Sequence, residues 1–243
     1  MPARLYLEEQ IVAYTERRLP TGATRHVQVL RLQPGDPLVL FDGRGGEYDA
    51  TLTHMGRGEA GVRVGAHRAV ERELARAVTL AVGMPANDRM DALVEKATEL
   101  GATAIVPLVC ERSVLRLQGE RAAKKLAHWR GVAIAAAEQC GRARLPELHA
   151  VTTLPAWLGG LRARGEAARW LLDTGAAPPL ADRAAALGDG PLLVLSGPEG
   201  GLAPAESALA LAAGFAAVSL GPRVLRADTA PLAALACLGA LER

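Results

Sequence analysis

The second two thirds of the chain alternate between short, continuous apolar runs and segments whose apolar residues recur at helical spacing. This alternation restricts the fold more than any other feature. Continuous apolar strands that alternate with helices are typical of a parallel sheet covered on both faces. The predicted strands are 78–82, 104–109, 170–172, 192–195 and 217–220, and the predicted helices are 88–100, 119–139, 155–164, 204–213 and 229–241. Asn87 or Asp88 is the expected N-cap of the first of these helices.

The first seventy or so residues have a different pattern. Apolar runs at 27–32 and 37–41 and two further short segments at 47–53 and 60–64 are separated by turns rich in Gly and Pro. Short strands joined by such turns indicate a small β-barrel. The change of pattern falls near 70–76, which predicts two domains, 1–72 and 73–243.

Composition excludes several classes of protein. No apolar run reaches the roughly 18 residues of a membrane span, and the first ten residues lack the basic and apolar regions of a secretory signal. The three cysteines form no Cys-x-x-Cys pair, and the five histidines are scattered without ligand spacing. We therefore expect a soluble cytoplasmic protein without a metal or a membrane partner.

Positive charge is concentrated in one stretch of a chain whose formal net charge is only +2. Residues 111–144 hold eight Lys or Arg against three Asp or Glu. A polyanion such as RNA would be attracted there. A solvated helix face explains the pattern equally well.

Two loops carry the strongest chemical signal. Residues 192–202 read as a buried strand that ends in Ser-Gly-Pro-Glu-Gly-Gly-Leu, where glycines would let backbone amides approach a ligand closely. Small molecules bind at the carboxyl ends of strands in α/β proteins, although a tight turn could need the same glycines. The order of residues excludes the Rossmann fingerprint, the P-loop and the Gly-x-Ser-x-Gly elbow.

The second loop, residues 219–230, also follows a strand that ends at Gly-Pro. Arg223 and Arg226 lie between this strand and a helix that would begin near Asp228 or Thr229. Two arginines beside a helix N-terminus could hold an RNA phosphate or the carboxylate of a cofactor. They could also be surface residues that solvate a turn.

Taken together, these segments resemble the SPOUT methyltransferases of the RsmE type. The resemblance rests on Ser-Gly-Pro-Glu-Gly-Gly-Leu at 196–202 and Ser-Leu-Gly-Pro-Arg-Val-Leu-Arg-Ala-Asp-Thr-Ala at 219–230. Further matches, in order, are Arg-Leu-Tyr at 4–6, Asp-Arg-Met-Asp at 88–91, Glu-Lys-Ala-Thr-Glu-Leu-Gly at 95–101, Glu-Arg-Ser at 111–113 and Ala-Glu-Gln-Cys-Gly-Arg at 137–142. Two positions depart from the family pattern: Asp228 stands where Glu is usual, and Asn87 where Lys is frequent.

The resemblance implies a fold and an activity. The family joins an N-terminal PUA-like β-barrel that helps to hold RNA to an α/β domain with a C-terminal trefoil knot. Its members use S-adenosylmethionine to methylate N3 of a uridine in small-subunit (16S) ribosomal RNA. The active form is a homodimer, which here would act on the assembled 30S subunit.

Site residues follow from the same resemblance. The knot loops would be 171–174, 196–202 and 220–226, and Arg226 would lie nearest the reacting centre. The cofactor would be held by Leu172, Asp173, Ser196, Gly197, Glu199, Gly200, Leu220 and Leu225, and the RNA by Arg4, Arg112, Arg142 and Arg223.

The sequence leaves three alternatives open. The chain could be a SPOUT enzyme that acts on transfer RNA or on a 2′-hydroxyl, or a non-catalytic RNA-binding protein of ribosome assembly. A hydrolase built on Cys140 is disfavoured, because no histidine is near it in sequence.

Overall fold

The computed structural model describes residues 2–86, 88–161, 167–188 and 190–241. The chain divides into two compact units. The N-terminal unit consists of Met1–Glu73 with Ile134–Leu145, and the C-terminal unit of Leu74–Ala133 with Pro146–Arg243. The predicted N-cap Asn87 and the end of the helix expected at 155–164 lie outside the described residues.

The N-terminal unit is built on one five-stranded sheet in the order β1-β3-β4-β5-β2. β1 pairs with β3 in parallel, and the other pairs are antiparallel. The small β domain expected from the sequence is thus confirmed as a separate sheet. Its elements are β1 (Ala3–Tyr6), β2 (Glu16–Arg18), α1 (Thr21–Val29), β3 (Pro37–Phe41), β4 (Glu47–Gly56) and β5 (Glu59–Arg68).

The strand predicted at 27–32 is wrong. Val27 belongs to α1, which begins after Pro20 and buries Thr24 and Val27, three residues apart, against the sheet. The apolar run suggested a strand because Val and Leu fit a pleated surface. Burial at the helical spacing overrode this local preference.

The C-terminal unit confirms the predicted parallel sheet. Seven strands pair in the order β12-β10-β11-β6-β7-β8, with β9 also beside β7, and every pair is parallel. Its strands are β6 (Val78–Gly83), β7 (Ala104–Val109), β8 (Glu147–Leu148), β9 (Thr152–Thr153), β10 (Ala168–Leu172), β11 (Leu192–Ser196) and β12 (Ala216–Val218). Its helices are α2 (Asp88–Glu99), α3 (Gly119–Cys140), α4 (Leu154–Gly160), α5 (Leu180–Ala185), α6 (Pro204–Ala212) and α7 (Thr229–Leu241), and α3 ends in the N-terminal unit.

Side chains that alternate along the central strand β6 fill two separate cores. Leu80 and Val82 face a core completed by α2, α3, α5 and α7, in which Trp129 is fully buried. Ala81 faces the other core, completed by α4 and α6. The sheet is therefore covered on both faces, as its continuous apolar strands predict. None of the helices in the described part of the chain has both the length and the apolar character that crossing a membrane requires.

Candidate active site

Three neighbouring strands of the C-terminal unit end beside one another. β10 lies between β11 and β12, and all three run in parallel, so their carboxyl ends lie at one edge of the sheet. The loops that follow enclose a cavity of ≈ 680 Å³. This volume lies within the usual range of small-molecule sites, about 300–1,000 Å³. The cavity is lined by residues 171–174, 196–202, 220–221 and 223–227 together with Arg89, Arg112, Ser207, Leu211, Ala217 and Ala230.

The loop after β11 is packed tightly against the end of β6. A Cβ built on Gly83 would lie 2.5 Å from both Cδ and N of Pro198, closer than real Cβ contacts. A Cβ on Gly197 would lie 2.9 Å from the backbone N of Leu202. The loop closes through a hydrogen bond from Gly201 N to Pro198 O (2.8 Å). The glycines thus allow a close backbone turn at the strand end.

Side chains fix this loop to its neighbours. The Glu199 carboxylate accepts a hydrogen bond from Ala86 N (2.8 Å), just before α2. Arg112 Nη1 donates to Gly200 O at 3.0 Å. The glycine loop is therefore held from two directions, by the start of α2 and by the segment after β7.

A buried carboxylate orients the segment that carries Arg112. Glu206, in the first turn of α6, accepts hydrogen bonds from Glu111 N (2.9 Å) and Ala203 N (3.0 Å). Both amides would lose their partner if this side chain were shortened, and an unpaired buried amide costs roughly 1–3 kcal/mol. Glu206 is therefore a positioning residue for Arg112, although no motif in the sequence indicates this role.

The loops after β10 and β12 are joined by backbone hydrogen bonds. Asp173 N donates to Val218 O (2.9 Å), and Leu180 N donates to Ser219 O (2.9 Å). The Asp173 carboxylate accepts from Gly175 N at 3.1 Å, which closes a turn at the cavity wall. These contacts give two separate loops one fixed arrangement.

Four arginines and two acidic residues line the cavity. The arginines are Arg89, Arg112, Arg223 and Arg226, and the acids are Asp173 and Glu199. The excess of positive charge suits an anionic ligand or substrate.

The backbone at Arg226 leads directly into α7. Its carbonyl oxygen accepts hydrogen bonds from Thr229 N and Ala230 N, each 3.0 Å long. Asp228 directly precedes the helix, as expected of an N-cap. However, its Oδ1 atom is buried and has no hydrogen-bond partner among the described residues.

Most of the site residues predicted from the sequence meet at this cavity. All eight predicted cofactor-binding residues line it, as do Arg226, Arg112 and Arg223. Arg89, which was not among the predicted site residues, lines it too. Its only signal was its place in the Asp-Arg-Met-Asp match at 88–91.

Arg4 and Arg142, predicted to contact RNA, lie instead in the N-terminal unit. Arg142 is buried and its guanidinium pairs with Glu73. Arg4 pairs with the buried Glu47 and donates to Arg142 O at 2.9 Å. Since a buried arginine that loses its partner is strongly destabilising, these interactions give both residues a structural role, and RNA contact at either stays a prediction.

The described residues hold no cluster of three or more His, Cys, Asp or Glu that could bind a metal ion. Cys110 is buried, and burial, with the nearby Glu206 charge, raises the pKa of its thiol to about 12. A thiol in this state is a poor nucleophile.

A parallel sheet with a polar cavity at its carboxyl edge is the arrangement of α/β proteins that bind small ligands. Two family descriptions match the chain: an RNA methyltransferase domain over residues 72–239 and an RNA methyltransferase PUA domain over residues 19–64. The chain belongs to the RNA methyltransferase family, which confirms the family resemblance seen in the sequence.

Similar proteins extend over almost the whole chain. Ribosomal RNA small subunit methyltransferase E of Synechocystis is 36% identical over 236 residues, which cover 96% of this chain and 75% of that protein. The protein of the same name from Mycobacterium tuberculosis is 38% identical, with 88% and 81% covered.

Solved structures agree in fold. The ribosomal RNA small subunit methyltransferase E from Neisseria gonorrhoeae, bound to S-adenosyl methionine, is 35% identical and superposes with a TM-score of 0.91 over 99% of this chain and 98% of that chain. A methyltransferase from Legionella pneumophila in complex with the same cofactor is 32% identical, with a TM-score of 0.91 and the same coverage.

Proposed function

We propose that this protein uses S-adenosylmethionine to methylate N3 of a uridine in small-subunit ribosomal RNA. The observation that carries the proposal is the cavity at the ends of β10, β11 and β12, where all the predicted cofactor residues meet Arg226. Relatives named for small-subunit ribosomal RNA methylation match along this chain, and two neighbours of high structural similarity contain the cofactor. These matches favour this substrate over transfer RNA and over a role without catalysis.

The residues of the cavity suit S-adenosylmethionine. Gly201 and Gly221 line it with left-handed backbone, and nothing lies within 4 Å of where a Cβ would be built on either, so the wall is open there. The carboxylates of Asp173 and Glu199 complement the cationic groups of the cofactor. Leu172 and Leu225 would offer apolar surface to the bound cofactor, and backbone groups of the loop at 196–202 would offer hydrogen bonds.

The cofactor, when bound, supplies an electrophilic methyl group carried on a sulfonium. The chain must hold the uridine nitrogen in line with that methyl group, and such positioning can contribute roughly 7–11 kcal/mol. Uridine N3 lies on the pairing edge, so the base must be unpaired, and its N3 proton must pass to solvent water. The Arg226 guanidinium stabilises the negative charge that develops on the ring. An arginine does not act as the base, because it keeps its own protons.

We assign RNA contact to Arg112 and Arg223, which both line the cavity. Residues 1–72 serve as the RNA-holding domain and 73–243 as the methyltransferase domain. The three loops at the cavity form the trefoil knot expected of the family. The enzyme works as a homodimer in the cytoplasm, on RNA within the 30S subunit.

A methylation assay tests the proposal. Purified protein and labelled S-adenosylmethionine are incubated with either small ribosomal subunits or naked transfer RNA. We expect label in the ribosomal RNA, recovered as N3-methyluridine after digestion to nucleosides. Label in transfer RNA or on a ribose would favour another SPOUT specificity. Absence of cofactor binding by calorimetry would favour the non-catalytic alternative.

A further inference from the structure

Tyr14 is unlike every other aromatic residue of the chain. The chain has eight aromatics, and the other seven are buried or partly buried. Tyr14 is 80% exposed. An exposed aromatic ring in an RNA-methylating protein suits stacking on a nucleobase, because every base presents a π-face.

The backbone at Tyr14 also has an unusual conformation. Its φ angle of 61° is left-handed, which is uncommon for a residue with a bulky side chain. The residue lies in a turn, where Thr15 Oγ1 donates to Val12 O (2.8 Å) and Val64 N donates to Thr15 O (2.8 Å). The turn is therefore anchored to β5, and it holds the ring outward at a conformational cost.

A cavity of ≈ 620 Å³ lies beside this ring, within the N-terminal unit. It is lined by parts of β2, β3, β4 and β5 together with Pro2, Tyr14 and Thr15. Its lining includes Glu16, Asp49 and Arg63. Glu16 Oε1 accepts from Arg63 at 3.0 Å and Asp49 Oδ1 pairs with Arg68 at 3.0 Å, which leaves the second oxygen of each carboxylate to accept a hydrogen bond. Carboxylates accept hydrogen bonds from the exocyclic amino groups of adenine, cytosine or guanine, which uracil lacks.

We propose that Tyr14 and this cavity form a subsite for an amino-bearing, unpaired nucleobase of RNA, with the base stacked on the Tyr14 ring. The subsite rests on the proposed function, since it assumes that the protein binds RNA. The proposal assigns to it a nucleotide other than the methylated uridine.

Three variants distinguish the effect of the Tyr14 ring on RNA binding from an effect on folding. Tyr14→Asn removes the ring but suits left-handed backbone, so we expect the melting temperature to be kept. Tyr14→Phe keeps the ring. Val12→Ala, at a neighbouring residue that is 59% exposed, is the matched control for loss of apolar surface.

Binding of a fluorescent single-stranded oligoadenylate is then measured by anisotropy across a salt series. Tyr14→Asn should weaken binding on the order of tenfold, the loss of one base–aromatic stack. Its salt dependence should be unchanged, because no phosphate contact is lost. Tyr14→Phe and Val12→Ala should bind like the parent protein, and oligouridylate should bind more weakly than oligoadenylate.

Ultraviolet crosslinking of the same oligoadenylate, followed by peptide mass spectrometry, gives a second readout. We expect an adduct on the peptide that contains Tyr14. The subsite would be overturned if Tyr14→Asn bound oligoadenylate with the same affinity as the parent protein. It would also be overturned if Tyr14→Asn changed the oligomeric state and not the affinity. Methyl transfer by the parent protein is assayed separately. If the parent protein is active but its affinity for oligoadenylate does not depend on Tyr14, the subsite alone is rejected. If the parent protein transfers no methyl group, the proposed function is rejected.

Discussion

At the scale of single residues, Arg226 carries the chemical part of the proposal. Arg226 lines the cavity, three residues before α7 begins. We expect Arg226→Ala to bind S-adenosylmethionine normally but to lose about 10²- to 10³-fold in kcat, as when one oxyanion-stabilising donor is removed. Calorimetry and single-turnover methylation measure the two effects separately.

Arg183→Ala is the matched control for Arg226, because Arg183 is an exposed arginine of α5 outside the cavity lining. It should retain full activity. Full activity in Arg226→Ala would remove Arg226 from the mechanism.

Gly83 makes a second prediction at this scale. Since a Cβ there would collide with the backbone of Pro198, Gly83→Ala should displace the glycine loop and weaken cofactor binding. Gly131 is its control, because nothing lies within 4 Å of where its Cβ would be in the exposed interior of α3. Gly131→Ala should stabilise the protein by about 0.5–1 kcal/mol. Calorimetry measures the cofactor affinity of each variant, and urea denaturation measures its stability. Unchanged cofactor affinity in Gly83→Ala would contradict the inferred packing of Gly83 against Pro198.

At the scale of helices and strands, the sequence predicted the parallel sheet well, because buried strands such as β7 and β11 are continuous apolar runs. It missed β1 and β2. β2 is a three-residue strand, Glu-Arg-Arg, without an apolar pattern. It also did not indicate that residues 134–145 belong with the N-terminal unit, since that depends on contacts between residues far apart in sequence.

The residues of the candidate active site were also only partly predictable from the sequence. Its loops carry glycines and prolines that a short motif reveals. The buried pairs of Arg4 and Arg142 form only in three dimensions, and an arginine in an isolated sequence is read as an exposed charge. The same holds for Glu206, whose two backbone partners come from different loops.

Glu47 links several elements of the N-terminal unit through ion pairs, and it should make the stability of the protein depend on pH. Glu47 of β4 pairs with Arg4 of β1, Arg68 of β5 and Arg72. Burial alone would raise the pKa of Glu47, but hydrogen bonds and charge from Arg4 and Arg72 outweigh burial and hold the pKa below its usual value. Because the pKa is lower in the folded state, the stabilisation is present above the ordinary glutamate pKa and is lost as the pH falls through the folded value.

We therefore expect Glu47→Gln to be less stable than the parent protein at pH 7 and to lose less stability on acidification. Urea denaturation over a pH series measures the difference. Glu9→Gln is the control, because the Glu9 carboxylate is exposed and pairs only at the surface with Arg17. The stability of Glu9→Gln should depend on pH as that of the parent protein does. The proposed role of Glu47 would be contradicted if Glu47→Gln lost as much stability on acidification as the parent protein.

At the scale of the whole molecule, the proposed homodimer has an apolar surface to cover. Val224 and Leu211 line the cavity of the C-terminal unit yet are 81% and 52% exposed. A charge at such a position should prevent association, so Val224→Asp is expected to sediment as a monomer. Val29→Asp, on an exposed residue of α1, should leave the dimer intact. A monomeric parent protein would contradict the dimer.

The central claim is that the cavity at the ends of β10, β11 and β12 serves N3-methylation of a uridine in small-subunit ribosomal RNA. Mass-spectrometric mapping of that RNA from cells that lack the protein tests it most directly. The account predicts that one N3-methyluridine disappears and returns when the parent protein, but not Arg226→Ala, is expressed. An unchanged N3-methyluridine, or loss of a different modification, would contradict it.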